Sequence, residues 1–159
     1  MLLRRQVIKA ATAFMGAVAF PAYVYAQGDP ATDNLGLKGY DPVAYFTLSA
    51  PTPGVAQYEY VYDGSRYRFA NARHLAMFKA NPEKYAPQFG GLCANNMSNG
   101  VRRESDPAIW IIANDRLYVF AGTAGRDRFR LDPGTLGARA TSNWTDLKNT
   151  ARPSTKPLQ

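Results

Sequence analysis

The chain is poor in the residues that build disulfides and metal centres. Its 159 residues include one Cys and one His. A single Cys excludes an intramolecular disulfide framework and a zinc site made of cysteines alone. A single His excludes a multi-histidine metal centre, and with it most zinc hydrolases and non-haem iron sites.

Charged residues and long apolar runs are also scarce. Charged residues make up 19% of the chain and hydrophobic residues 46%, which excludes wholesale disorder and predicts one domain with a real core. The net charge of +7 falls to +4 when Arg4, Arg5 and Lys9 leave with the signal predicted below. A charge of this size serves solubility, so we predict that the protein does not bind nucleic acid.

The first 26 residues have the pattern of an export signal. Arg4 and Arg5 precede an uncharged run over 10–20, and Ala26 supplies a small residue before the cleavage point. The run has about half the ~20 residues of a membrane-spanning helix, so we expect no permanent membrane span. The paired arginines resemble a twin-arginine signal, with an ordinary secretory signal as the alternative. We therefore predict a periplasmic protein delivered by the twin-arginine export machinery.

The rest of the chain is predicted to form one domain. Residues 27–34 are polar and carry Gly and Pro, which is typical of a tether. Residues 35–148 form the domain, and 149–159 form a flexible tail. No internal repeat stands out in the sequence.

Two β-hairpins are indicated by alternating aromatic or apolar residues around turn residues. The first joins 57–62 to 66–69 across Asp63-Gly64-Ser65, and the second joins 108–112 to 117–120 across Asn114-Asp115. The first arm of the second hairpin is nearly all apolar, which predicts a central strand.

Several short helices accompany the hairpins. Asn71 is a predicted cap for a helix over 72–80, and Asn81-Pro82 restarts a short turn. Asp41 before Pro42 predicts a capped helical turn, and further helices are expected over 124–131 and 136–147. Together these elements predict an α+β domain with a small antiparallel sheet formed by the two hairpins.

Several segments, in this order, resemble the YHS domain family in its exported bacterial branch. They are 36–46 (GLKGYDPVAYF), 67–71 (YRFAN), 78–88 (FKANPEKYAPQ), 90–94 (GGLCA), the hairpin over 110–118 and the closing pair Asn143-Trp144. The resemblance spans about residues 35–147, which is nearly the whole predicted domain. Metal-associated relatives carry thiols at the positions that match Ala44, Ala70 and His74, and of these only His74 has any ligand capacity. The resemblance implies no established catalytic activity.

The soft side chains of the predicted domain fall in one short window. Its only Cys, its only His and its two Met lie between His74 and Met97. A thiolate, an imidazole and thioethers suit Cu(I), so Cys93, His74 and Met97 form a candidate metal site with copper as the candidate cofactor. Met77 is interpreted as a core residue beside Phe78.

Other interpretations of the candidate residues stay open. Gly90-Gly91 could lead Cys93 into a helix N-terminus, where a thiol becomes a better nucleophile, so a thiol-dependent redox or catalytic protein is one alternative. A structural or interaction module with Cys93 as a core residue is another. Tyr40 and Asp41 are candidate binding residues that could line a pocket, and Asp41 is also the predicted helix cap.

The leading prediction from sequence is a soluble YHS-like module of the cell envelope. It binds a small ligand or a soft metal ion and is not itself an enzyme. The ligand is not identified by the sequence.

Overall fold

The computed structural model describes residues 34–148. The predicted export signal over 1–26 and the predicted tail over 149–159 lie outside the described residues, as do residues 27–33 of the predicted tether. Within residues 34–148, no helix has both the length and the apolar character needed to cross a membrane.

Short helices alternate with two β-hairpins along the described residues. The strands are β1 (Val55–Tyr62), β2 (Ser65–Phe69), β3 (Asp106–Ala113) and β4 (Arg116–Phe120). The helices are α1 (Ala44–Thr47), α2 (Ala72–Ala80), α3 (Pro82–Tyr85), α4 (Ala94–Met97), α5 (Thr123–Leu131) and α6 (Pro133–Leu147). These elements confirm the predicted α+β fold.

Both hairpins turn through two residues with positive φ. Asp63 and Gly64 have φ values of 45° and 69°, and Asn114 and Asp115 have values of 51° and 57°. Two consecutive left-handed residues form the hairpin turn whose twist matches the right-handed twist of the strands. Both predicted hairpins are therefore confirmed, with Ser65 in the strand and not in the turn.

The two hairpins form two separate antiparallel sheets of two strands each. The prediction that the first arm of the second hairpin is a central strand is wrong, because β3 pairs with β4 alone. Its apolar residues alternate between two neighbouring clusters, with Ile109 and Ile111 packed on one and Trp110 on the other. The apolar run on β3 thus reflects partial burial of both faces and not a position between two strands.

The described residues form two halves with the same order of elements. The first half (36–85) and the second half (88–147) each contain a left-handed turn, a short helix, a hairpin, a nine-residue helix and a helix that begins with Pro. β1 and β3 have eight residues each, and β2 and β4 have five. The second hairpin and the two helices that follow it begin 51 residues after their counterparts.

Local irregularities are duplicated as well. Strand pairing shifts between Val55 and Glu59 in β1, and between Asp106 and Trp110 in β3. The turns that open the halves have similar positive φ values, at Leu37-Lys38-Gly39 (50°, 51° and 87°) and Phe89-Gly90-Gly91 (58°, 61° and 79°). The expectation that the chain has no internal repeat is therefore wrong, because the backbone of the described residues contains one.

Side-chain caps begin α2 and α6, whereas α5 begins after Gly122 without one. The Asn71 side chain accepts a hydrogen bond from the N–H of His74, and the Asp132 side chain accepts one from the N–H of Thr135. These bonds satisfy donors that a helix N-terminus leaves unpaired. The helix over 72–80 is confirmed at both ends, whereas the last helix begins at Pro133, earlier than predicted.

Each half has an aromatic cluster, and a third cluster joins them. Phe78 packs with Tyr67 and Phe69 in the first half, and the equivalent Phe129 packs with Tyr118 and Phe120 in the second. The joining cluster contains Leu37, Tyr45, Leu117 and Val119. The buried hydroxyl of Tyr45 also donates to the carbonyl of Pro107, which ties α1 to the second hairpin.

Candidate functional site

The carboxylate of Asp41 is fully buried and accepts hydrogen bonds at both oxygens. Its Oδ1 accepts from the N–H groups of Val43 (2.8 Å) and Ala44 (3.3 Å), and its Oδ2 accepts from the N–H of Ala70 (2.8 Å). The Oδ1 bonds show that Asp41 caps the turn that leads into α1, although the helix itself begins at Ala44 and not at the predicted Pro42.

The imidazole of His74 completes the hydrogen bonding of this carboxylate. The cap by Asn71 starts α2 so that the third helical residue, His74, faces inwards, where it is 6% exposed. Its Nδ1 lies 2.6 Å from Oδ2 of Asp41, and its Nε2 lies 3.2 Å from Oγ1 of Thr47. Asp41, His74 and Thr47 form a hydrogen-bonded triad that runs from the interior to an exposed residue.

The triad was not apparent from the sequence. Asp41 and His74 are 33 residues apart, and α1 and α2 bring them together only after the first hairpin has folded back. The sequence offers one indication of the triad. His and Asp are seldom buried without a partner, so a single His on a capped helix and an Asp before Pro42 are candidates for a buried polar pair. The sequence marks each residue as a candidate but does not indicate that the two meet.

Cys93 and Met97 lie together in the core of the second half. Cys93 is 1% exposed and Met97 is fully buried, and both pack in a cluster with Phe120, Phe129 and Ala140. The N–H of Met97 donates to the carbonyl of Cys93 across the short helix α4. The two residues therefore share a side of that helix, as their spacing suggested.

The structure does not unite the predicted metal ligands into one donor set. Both ring nitrogens of His74 lie within hydrogen-bond distance of Asp41 and Thr47, whereas Cys93 and Met97 face an apolar cluster. Over residues 34–148, no group of three or more His, Cys, Asp or Glu side chains could hold a metal ion. Copper binding therefore stays a prediction.

Tyr40 lies beside the cluster that joins the halves. It is half-buried against that cluster, and its backbone pairs with that of Pro53. The neighbouring Asp41 is engaged inside the triad. The structure thus places Asp41 in the interior and Tyr40 half-buried beside it.

A cleft of about 570 Å³ opens between the two halves. The tips of both hairpins line it, with Tyr62 and Asp63 from the first half and Asn114 and Asp115 from the second. Phe89 and Gly90, in the turn that opens the second half, and Trp144 of α6 also line the cleft. The duplication therefore places two equivalent hairpin tips at one opening.

Charges of both signs surround the cleft. Lys84 and Arg116 are the cations of the lining, and Asp63, Glu83 and Asp115 are the carboxylates. Burial raises the pKa of Tyr62, and the carboxylates of Glu83 and Asp63 raise it further. Lys84 Nζ lies 3.8 Å from Asp115 Oδ2, and Arg116 Nη1 donates to Gln88 Oε1 at 3.1 Å. The cleft thus offers separate partners for an anion and for a cation.

No family model, no curated protein and no solved structure matches this chain. The resemblance to the YHS domain family accordingly rests on the sequence motifs alone.

Proposed function

We propose that this protein is an exported binding module of the bacterial cell envelope, and that it holds a small zwitterionic ligand in the cleft between its halves. Export rests on the signal pattern of residues 1–26, and membership of the YHS domain family rests on the motifs over 35–147. The single observation that carries the binding function is the cleft itself.

The size and lining of the cleft support a small-molecule ligand. Its volume of about 570 Å³ falls within the range of roughly 300–1,000 Å³ that is usual for ligand sites. Such sites combine aromatic walls with a few polar groups that fix orientation. Trp144 and Tyr62 supply aromatic surface here, and hairpin tips from both halves supply the polar groups.

The charges of the lining favour a ligand with both an anionic and a cationic group. The guanidinium of Arg116 can form a bidentate pair with a ligand carboxylate, at the cost of its bond to Gln88. The carboxylates of Asp63 and Glu83 can accept hydrogen bonds from a ligand ammonium group. Amino acids and short peptides are a chemical class that carries both of these groups.

The geometry favours this form of the binding hypothesis over the soft-metal form. Cys93 and Met97 would have to leave the core to bind a metal ion from solution, which would expose the apolar residues around them. His74 would have to release Asp41 or Thr47. The cleft, in contrast, is open without any rearrangement.

Calorimetric titration with a panel of amino acids and dipeptides tests the proposal. Arg116→Ala is expected to weaken binding of the best ligand about tenfold, which corresponds to ~1.4 kcal/mol. Arg126→Ala is the matched control. It also removes one guanidinium, but Arg126 pairs with Asp127 on α5 and does not line the cleft. Absence of binding by the whole panel, or equal weakening by both variants, would overturn the proposal.

A further inference from the structure

The hydroxyl of Thr47 ends the triad at the protein surface. Thr47 is an exposed residue, whereas Asp41 is fully buried and His74 is nearly so. An imidazole held by a buried carboxylate on one side and facing a hydroxyl on the other is the arrangement that activates hydroxyl nucleophiles. The proposed binding function makes no use of it.

The hydrogen bonds of Asp41 determine which nitrogen of His74 carries a proton. An ionised carboxylate only accepts hydrogen bonds, so Oδ2 of Asp41 requires an N–H at Nδ1 of His74. In the neutral imidazole, Nε2 then carries no proton, and its lone pair faces Thr47. The buried carboxylate thus leaves the basic nitrogen directed at the hydroxyl.

The hydroxyl proton of Thr47 has two acceptors within reach. Oγ1 lies 3.1 Å from the carbonyl of Val43 and 3.2 Å from Nε2 of His74. A single proton can serve only one of them at a time. When it points to Nε2, the oxygen lone pairs are free for a reagent from solution.

We propose that Thr47 is a base-activated hydroxyl that accepts an acyl group from an activated ester. Oγ1 forms a bond to the carbonyl carbon of the ester while its proton passes to Nε2 of His74. The bond between that carbon and the leaving oxygen then breaks, and the leaving oxygen takes the proton back from Nε2. The acyl group has moved from one oxygen to another, and no oxidant or metal is needed.

Two other threonines of this protein serve as internal controls. Thr141 and Thr145 are exposed residues of α6. Each donates its hydroxyl to the backbone carbonyl four residues earlier, at Gly137 and Thr141 respectively. The hydroxyl of Thr47 can donate in the same way to the carbonyl of Val43. This back-bonding is an ordinary property of helical threonine. Of the three hydroxyls, only that of Thr47 lies within hydrogen-bond distance of an imidazole.

The test is acetylation of the full chain by p-nitrophenyl acetate, followed by peptide mapping with mass spectrometry. We expect a hydroxylamine-sensitive acetyl group on Thr47 and none on Thr141 or Thr145. Thr47→Ser keeps the adduct on the new hydroxyl, and Thr47→Val abolishes it. His74→Gln slows formation of the adduct about a hundredfold, which is within the usual range for loss of a general base.

Other results would overturn the proposal. They are the absence of an adduct on Thr47, equal modification of Thr145, or an unchanged rate in His74→Gln. If His74→Gln proves unfolded by circular dichroism, the Ser and Val variants at the exposed position 47 still decide the outcome. Ligand titration of Thr47→Val separates this proposal from the binding function, which that variant is expected to retain.

Discussion

Asp41 and Cys93 occupy equivalent positions in the two halves of the protein. The N–H of Asp41 donates to the carbonyl of Thr52 at 2.8 Å, and the N–H of Cys93 donates to the carbonyl of Arg103 at 2.9 Å. Each residue follows a left-handed turn and precedes a short helix. The same backbone site therefore carries a buried carboxylate in one half and a buried thiol in the other.

The two halves also differ at the position of His74. His74, which pairs with Asp41, is the third residue of α2, and the third residue of α5 is Gly125. A Cβ at Gly125 would lie 3.3 Å from the side chain of Asn95, so in the second half the Asn95 side chain packs close to the position equivalent to His74. Only the first half thus contains a polar triad.

Cys93 is expected to react slowly with a thiol reagent in the folded protein. Its side chain is 1% exposed among apolar residues, which withholds the thiol from solvent. Release of chromophore from Ellman's reagent should occur only after unfolding in guanidinium. Thr145→Cys is the positive control, because it adds a thiol at an exposed helical position. Rapid reaction of native wild-type protein would support the thiol-dependent alternative instead.

Copper binding by Cys93 and His74 can be tested by titration of reduced protein with Cu(I) against a calibrated chelator. We expect Cys93→Ala and His74→Ala to leave the competition unchanged, because one side chain is sequestered and the other is hydrogen-bonded at both nitrogens. Stoichiometric binding that weakens about tenfold or more (~1.4 kcal/mol) in both variants would establish the soft-metal site.

Asp41→Asn should destabilise the fold by about 3 kcal/mol, measured by urea unfolding. The amide nitrogen would face the N–H of Ala70 and leave this donor without an acceptor in the interior. Asp132→Asn is the matched control, since Asp132 also caps a helix but is exposed, and Asn caps equally well. Equal effects of the two substitutions would show that the triad contributes nothing beyond capping.

Tyr45→Phe tests the link between the halves and its dependence on pH. Loss of the buried bond to the Pro107 carbonyl should cost about 1 kcal/mol at neutral pH. Burial, and after it the charges of Tyr40, Asp106 and Asp41, raise the pKa of Tyr45. The phenol has a pKa of about 10 in the unfolded chain. The contribution of Tyr45 to the free energy of unfolding is therefore complete below that pH, and it is lost as the pH rises towards the higher pKa of the folded state.

The stability advantage of wild type over Tyr45→Phe should therefore shrink above about pH 10. Urea unfolding of both proteins across this range measures it. Tyr58→Phe serves as a control at a half-buried strand position. A difference between wild type and Tyr45→Phe that stays constant into alkaline solution would contradict the prediction.

Gly54 is expected to tolerate no side chain. A Cβ at this position would lie 2.5 Å from the backbone carbon of Arg68 and 2.6 Å from its carbonyl oxygen, so β2 would have to move. Gly54→Ala should cost about 3 kcal/mol or more. Gly134→Ala in the first turn of α6 should instead stabilise by up to about 1 kcal/mol, since its nearest neighbour would be 3.8 Å away. Thermal unfolding of both variants tests the contrast.

Local patterns predicted most of the secondary structure because their causes are local. The Asn71 cap and the Asn81-Pro82 pair place the ends of α2 within the sequence itself, and the structure has them at the predicted residues. The Asp63-Gly64 turn is likewise determined by residues that tolerate positive φ. The role of β3 was mispredicted, because sheet partners depend on residues far away in the chain.

By itself, the sequence determined the helices, the hairpins and the α+β class. These follow from caps, turn residues and side-chain periodicity, which act over a few neighbouring residues. Only the tertiary structure revealed the duplication, because backbone geometry repeats while most side chains do not. It also decided that His74 meets Asp41 and not Cys93, since burial of a carboxylate requires donors, and the folded first half supplies them from α1, α2 and Ala70.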